Sequence, residues 1–257
     1  MSGLPQILLP ALAGFALSLA GCRPGIDPNF EAVVSIAGEP GIPAPRKEVV
    51  AAELRERAKV LSLALEIDAG SPADGKLTLR FEADDKNDAL ARLDALCQSG
   101  KLAVRAVHEQ TVFLSDAARS DPSRVPAGYE ILPLSLQVGE ASRSEELVVS
   151  TAIIIDGSHV ERARAVPSKH HSVHISLTVS GGRQLMKATK KMQKGRSRLA
   201  IIYDGRIISA PVVAAVLASD FTIEGFNSFG QAQALAAALN KPLSTKLLIE
   251  SLKPLAP

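Results

Sequence analysis

Between residues 30 and 250 the apolar positions follow two periods, one of two residues and one near 3.6, and the stretches that carry them alternate along the chain. Ala32-Val33-Val34-Ser35-Ile36 suffices for a short strand, which Pro40 stops. Lys47 to Leu61 holds helix formers throughout, with Val50, Leu54, Ala58 and Leu61 on one stripe and Arg55, Glu56, Arg57 and Lys59 on the other side. Leu63 to Ile67 and Lys76 to Glu82 read as strands on either side of the turn-rich Asp68 to Gly75. A second helix is expected over Asp85 to Cys97, capped by Asp84 and closed by Gly100, and Lys101 to Val107 supplies a further strand. The order strand, helix, strand, strand, helix, strand is the split βαβ arrangement of ferredoxin-like domains.

The second half follows a different rhythm. Thr111 to Ser144 is polar and turn-rich, which predicts extended loops with short strands, and Leu147 to Ile155 is a β-rich run. Val173 to Val179 reads as a strand leading into a helix from about Ser180 to Met192. Leu199 to Tyr203 and Arg206 to Ser209 flank Asp204-Gly205, a pair that accepts positive φ at both centres of a type I′ turn, so a tight hairpin is predicted, ended by Pro211. An apolar run, Val213 to Leu217, and a short strand, Phe221 to Gly225, come next. Ser228 and Gln231 have capping-box spacing ahead of a helix over Phe229 to Leu239 that turns Ala232, Leu235, Ala236 and Leu239 inward. Thr245 to Glu250 is the last strand. The fold class is therefore α+β: a ferredoxin-like base over 47–108, an α+β head with antiparallel sheet over 109–243, and a tail over 244–257.

The N-terminal 21 residues carry no charge and end in Leu19-Ala20-Gly21-Cys22. A short apolar core, small residues and then a cysteine predict a lipoprotein signal peptide over 1–21, with Cys22 diacylated. Residues 22–46, rich in Pro and Gly, then read as a tether around the first strand. No later run approaches the roughly 18 uncharged apolar residues of a membrane helix.

Composition narrows the chemistry. With 29 Lys and Arg against 27 Asp and Glu the chain is nearly balanced, and with no Trp, two Tyr and seven Phe it lacks the basic stacking surface of a nucleic-acid binder. If Cys22 carries lipid, Cys97 alone remains, and its place on the apolar stripe of Leu90 and Leu93 makes it a small buried residue. His170, His171 and His174 cluster, but on a strand His171 points away from the other two, so no metal site is expected. His108 with Glu109 falls at the end of a strand, and Ser209 lacks the flanking glycines of a nucleophile elbow. Gly181-Gly182 has no companion P-loop residues and reads as a loose start to its helix. Lys187, Lys190, Lys191, Lys194, Arg196 and Arg198 form the densest charge run, a solvated helix surface or a contact for anionic headgroups. No catalytic residue and no cofactor is expected.

Several words, in order, resemble the SecD family, the accessory subunit of the bacterial protein translocase, in its large extracytoplasmic domain. Leu54-Arg-Glu-Arg-Ala-Lys-Val-Leu61 is similar to the family's Leu-Arg-Asn-Arg-Val-Asn-x-Leu helix. Val104-Arg-Ala-Val-His-Glu109 is similar to its Phe-Arg-Leu-Val-His segment, and Val125-Pro-Ala-Gly-Tyr-Glu-Ile-Leu-Pro133 to its Val-Pro-Pro-Gly-Tyr-Glu-Leu-Leu-Pro. Asp156-Gly-Ser-His-Val-Glu-Arg-Ala163 resembles the start of its second subdomain. Most specific is Asp204-Gly205-Arg-Ile-Ile-Ser209-Ala-Pro211-Val212 beside the family's Asp-Gly, Val-Ile-Ser-Ala-Pro-Val. In the segment around Ser228, Asn227-Ser228 stands where the family has Phe-Thr, and Gly230 and Gln231 replace two acidic residues.

The resemblance implies a two-lobed module whose last strand returns to the base sheet, and in which Asp204, Gly205, Ser209 and Pro211 are structural. SecD works with SecF and the proton gradient and contacts the emerging polypeptide. The family's membrane helices and its Asp-Leu-Gln/Arg-Gly-Gly motif have no counterpart in this sequence, so binding rather than proton-driven work is expected. The expected partners are translocating or unfolded polypeptides or Sec translocase subunits, outside the cytoplasmic membrane and tethered to it through the lipid. The contact surface expected for them is Val212, Val213, Val216 and Leu217 with Phe226, residues that core packing explains equally well. The alternative is a structural or assembly lipoprotein of the envelope that keeps the fold without a transport role.

Overall fold

The computed structural model describes residues 27–37, 47–70, 75–138, 141–167 and 171–255. The expected signal peptide, Cys22 and much of the tether lie outside the described residues. In chain order the elements are β1 (Phe30–Ile36), α1 (Lys47–Val60), β2 (Leu65–Asp68), β3 (Lys76–Phe81), α2 (Lys86–Cys97), β4 (Leu102–Val107), α3 (Thr111–Ser120), β5 (Tyr129–Val138), β6 (Ala141–Asp156), β7 (Val160–Val166), β8 (Ser172–Leu177), α4 (Val179–Lys190), β9 (Leu199–Tyr203), β10 (Arg206–Ser209), β11 (Asp220–Glu224), α5 (Phe229–Asn240) and β12 (Leu247–Pro254).

The base is an antiparallel sheet in the order β12-β1-β3-β2. Alternate residues Phe30, Ala32 and Val34 of β1 and Leu77, Leu79 and Phe81 of β3 turn to one side, where α1 lays Val50, Leu54 and Ala58 and α2 lays Ala89, Leu93 and Leu96. Periods of two and of 3.6 thus meet in one core. On the open side of the sheet Glu31 bridges its neighbours, with Arg80 Nε at 2.8 Å and Lys253 Nζ at 3.0 Å.

This sheet corrects the expected fourth strand. Lys101–Val107 was the local candidate, but β4 leaves the base and pairs with β6 and β9, while β12 takes the place beside β1. An alternating strand does not encode its sheet; partners 42 to 101 residues away decide it. The base is consequently discontinuous, and the head is inserted between α2 and β12. The cap of α2 also moves by one residue: Asp85, not Asp84, accepts from Asn87 N–H and Asp88 N–H, while Asp84 N–H donates to the Asp88 carboxylate.

In the head, β10-β5-β6-β4-β9 close into a small barrel filled by Val107, Leu134, Leu147, Val149, Ala200, Ile202 and Ile207. A second layer, the sheet β11-β8-β7 with α4 and α5, packs against the outside of β4 and β9. β9 therefore faces a core on both sides, with Ala200 and Ile202 in the barrel and Leu199, Ile201 and Tyr203 in the outer layer. That is why it reads as an unbroken apolar run. Thr111 to Ser144 differs from the expected loops, since it holds α3 and the ten-residue β5. In α3 the apolar Phe113, Leu114, Ala117 and Ala118 share one side, but the buried residues are Thr111, Ser115 and Ala118, whereas Val112 and Phe113 stand exposed, so the helix packs along an edge that its apolar pattern does not mark. Pro133 sits in β5 opposite Glu146, and the parallel pairing of β5 with β10 is a single residue pair at Leu134, so little ladder is lost to the missing N–H.

Hydrogen bonds from Lys253 and then Arg80 hold the Glu31 carboxyl below its ordinary value of 4.5. A carboxyl so depressed contributes stability that is present above its unfolded pKa and lost as the pH falls through the folded one. Glu31→Gln should lower Tm at neutral pH by about 1–3 °C and change nothing near about pH 2, which a pH series of thermal melts measures.

Candidate functional site

Base and head meet around a side chain that sequence patterning puts on the polar side of α1. Arg57 is 0% exposed. Its guanidinium donates to Leu96 O at 2.9 Å, to Gln98 O, and through Nε and Nη2 to Lys241 O at 3.1 and 2.6 Å. These carbonyls end α2 and follow α5, where unpaired C=O groups and the negative ends of two helix dipoles converge. Burial lowers the Arg57 pKa from its ordinary value, yet a guanidinium stays protonated.

A second tie joins the same place from the head. Asp204, at φ +48°, and Gly205, at φ +82°, form the predicted type I′ turn of the β9–β10 hairpin. The Asp204 carboxylate accepts from Ser99 N–H at 2.8 Å, from Lys101 N–H at 2.9 Å and from the Ser99 hydroxyl. Asp204 is thus a turn former and a clamp on the link between base and head. Gly100, at φ +83°, lies in that link, and a Cβ there would stand 2.4 Å from Ala238 O of α5. Tyr203 donates its hydroxyl to Gln98 Oε1 at 2.9 Å, and burial raises its pKa.

Beside these ties a groove of about 890 Å³ runs between the lobes. The base supplies one wall from Leu61, Ser62 and Leu63, from Asp88, Arg92 and Asp94 of α2, and from Gln98 just after it. The head supplies the other from Tyr203, Ile208 and Phe226 and from Gln231, Gln233 and Leu235 of α5. Apolar side chains alternate with amides and a few charges, a lining that suits an extended chain with both side chains and peptide groups to satisfy. Sequence reasoning reached Phe226 but none of the α2 or α5 lining, because the groove exists only once the inserted head folds back over the base.

Of the five expected contact residues, Val213, Leu217 and Phe226 share the outer-layer core of the head. Val213 is 3% exposed and belongs to the head core; Val212, 50% exposed, pairs with Arg198 across an isolated bridge. Leu217, with Leu185, Leu199 and Phe221, lines a small apolar pocket of about 40 Å³, and its N–H donates to the buried Thr189 hydroxyl. Val216 is half-buried, and Phe226 faces the groove. Ser209 closes β10 opposite Ile201 after a register shift, and Pro211 O accepts from Leu199 N–H.

The other candidates have local roles. His108 Nδ1 accepts from Gln110 N–H at 3.1 Å, and its ring meets Tyr129 edge-on at 4.8 Å. His170 lies outside the described residues, His171 approaches Phe229 at 6.1 Å, and His174 lies near Thr222 and Asp220. Among the described residues no three His, Cys, Asp or Glu side chains are grouped to hold a metal ion. Burial pushes the Cys97 thiol up to about 12. Gly181-Gly182 is tight rather than loose: a Cβ on Gly182 would lie 2.1 Å from Ala218 O, and one on Gly181 2.7 Å from His159 Cβ. Arg198 leaves the charge run, donating to Ala210 O and Glu145.

A family model described as the SecDF P1 head subdomain matches residues 133–242, the span from β5 to just past α5. Protein translocase subunit SecD of Magnetococcus marinus is 27% identical over 146 residues, which cover 55% of this chain and 27% of that protein. Over these spans the chain is similar to the SecD family. It spans about a quarter of the length of that SecD relative. A crystal structure of SecDF in a super-membrane-facing form superposes with a TM-score of 0.59 at 20% identity, over 88% of this chain and 30% of that one. A second structure, of "a membrane component SecDF that enhances protein export", gives 0.56 at 21% identity, over 88% of this chain and all of that one. These likenesses establish a fold shared with part of SecDF. Among the described residues no helix is long and apolar enough to cross a membrane.

Two substitutions test the ties of this junction. Arg57→Met should destabilise the fold by about 3 kcal/mol, because three carbonyl groups, that of Leu96 buried, lose their donor; denaturant unfolding measures it. Asp204→Asn keeps the turn, since Asn tolerates positive φ, but aims an amide at one of the donors of Ser99 and Lys101. It should cost about 1–2 kcal/mol and speed hydrogen exchange at Ser99 and Lys101 more than in the base core.

Proposed function

We propose that this SecD-like domain is a non-catalytic binding module for extended polypeptides in protein export, held on the extracytoplasmic side of the membrane by lipid on Cys22. The groove between the lobes is its binding site, and its clients are chains emerging from the translocase, with Sec translocase subunits as neighbours. The observation that carries the reading is the groove itself: two separately folded lobes wall it, and its lining mixes apolar side chains with Gln98, Gln231 and Gln233. Amides satisfy the peptide groups of any extended chain whatever its sequence, and apolar neighbours accept its varied side chains. The Leu19-Ala20-Gly21-Cys22 word supports the lipid anchor.

A photo-crosslinker replacing Gln233 should label secreted chains in transit in cells, and one replacing Glu161, an exposed residue of β7, should not. Equal labelling at the two positions removes the proposal. Recovery instead of a stable envelope complex without Sec subunits or secreted chains favours an assembly lipoprotein.

A further inference from the structure

The charge run on α4 has a shape that only the folded helix shows. From Arg162 to Tyr203 the chain holds ten Lys and Arg and no Asp or Glu, in a protein whose totals are 29 against 27. On α4, Val179, Arg183, Lys187 and Lys190 follow one another at helical spacing, opposite the buried Leu185 and Thr189. Lys191 caps the helix, and Lys194 and Arg196 continue past it. All six cations are exposed, and none has an ion-pair partner among the described residues. Val179, at the start of the same stripe, is 74% exposed.

Helix stability does not account for this arrangement. Lysines in the last turn complement the macrodipole, but Arg183-Lys187 and Lys187-Lys191 are like-charge pairs at i,i+4, which destabilise a helix. A solvated surface normally mixes signs. The stripe extends about 17 Å along a convex surface and is made mostly of lysines, hydrated point charges on flexible stems rather than the planar forks that read a defined carboxylate. With no Trp and two Tyr in the chain, base stacking has little to offer beside it. We infer that the exposed side of α4 is a docking surface for anionic phospholipid headgroups, with Val179 entering the interface beside them. The complement to an extended row of unpaired lysines is a layer of phosphodiester charge, each cation near it strengthening binding by about five-fold. The inference rests on α4 alone and needs neither the lipid on Cys22 nor a client in the groove.

The test uses the full chain and vesicles of phosphatidylcholine with or without about one third phosphatidylglycerol. The difference between the two separates charge from any apolar contribution of the N-terminal segment. The expected result is at least about ten-fold stronger partition onto the anionic vesicles, abolished near about 1 M salt, where screening reaches only about 3 Å. Lys187→Gln, Lys190→Gln, Lys191→Gln and Lys194→Gln together should remove that preference with Tm unchanged. Arg55→Gln, Lys86→Gln, Arg206→Gln and Lys246→Gln together, the same change in net charge at exposed positions elsewhere, should keep most of it. Equal partition onto both vesicles overturns the inference, as does equal loss in the two quadruple variants. Soluble polyglutamate that binds the chain as tightly as the anionic vesicles overturns it in favour of an acidic protein segment. Should the α4 quadruple variant unfold, Arg183→Gln with Lys187→Gln must lose preference in proportion to the two charges removed.

Discussion

A buried guanidinium without a buried carboxylate is costly unless other dipoles solvate it, and this constraint shapes the whole junction. Arg57 satisfies it with the backbone carbonyls that end α2 and follow α5. Each of those groups is an acceptor left over by its helix, so one cation answers acceptors from two lobes at once. The arrangement obliges three elements to end at one point. α1 must deliver the side chain, α2 must stop at Cys97, and the chain leaving α5 must pass Lys241 within reach. Shortening α2 by a turn would leave the cation facing water or nothing.

The same point explains why both crossings between the lobes lie together. The chain leaves the base through Gln98 to Lys101 and returns through Lys241 to Leu243, and Leu243 N–H donates to Ser99 O at 2.9 Å. Asp204 reaches the outgoing link from the hairpin, and Gly100 permits α5 to approach it within a distance that no side chain allows. The hairpin that is the most recognisable word of the sequence is therefore also a structural bolt. Its two glycine-like φ values shape the turn, and its one carboxylate fastens the head to the link.

Legibility in the sequence divided along the range of the interaction. Elements whose cause is local were readable: the hairpin from Asp204-Gly205, α5 from its Ser228 cap and inward alanines, β3 from its alternation. The cap on α2 was displaced by a single residue, since Asp84 and Asp85 are equivalent candidates until the backbone chooses. α3 was missed because it packs through Thr111, Ser115 and Ala118, an edge offset from its apolar side, with the Thr111 hydroxyl accepting from Val148 N–H of β6. β4 was legible as a strand but not as a member of the barrel. Arg57 reads on a helical wheel as one more charge on a wet surface, since nothing nearby announces carbonyls 39 to 184 residues away.

The groove inherits its geometry from these long-range ties. Its two walls belong to lobes that are covalently joined and hydrogen-bonded near Gln98 and Tyr203, which themselves form part of the lining. A change in the distance between Asp88 and Gln231 must therefore bend the links beside Gly100, or break the bonds made by Arg57 and Asp204. The width of the opening is thus governed by buried polar contacts rather than by the apolar cores, which remain intact within each lobe. Polar contacts of this kind are directional and fail over a fraction of an ångström, whereas apolar packing yields gradually. A site built in this way holds one width while the junction is made and loses that width when any one of these few bonds is broken.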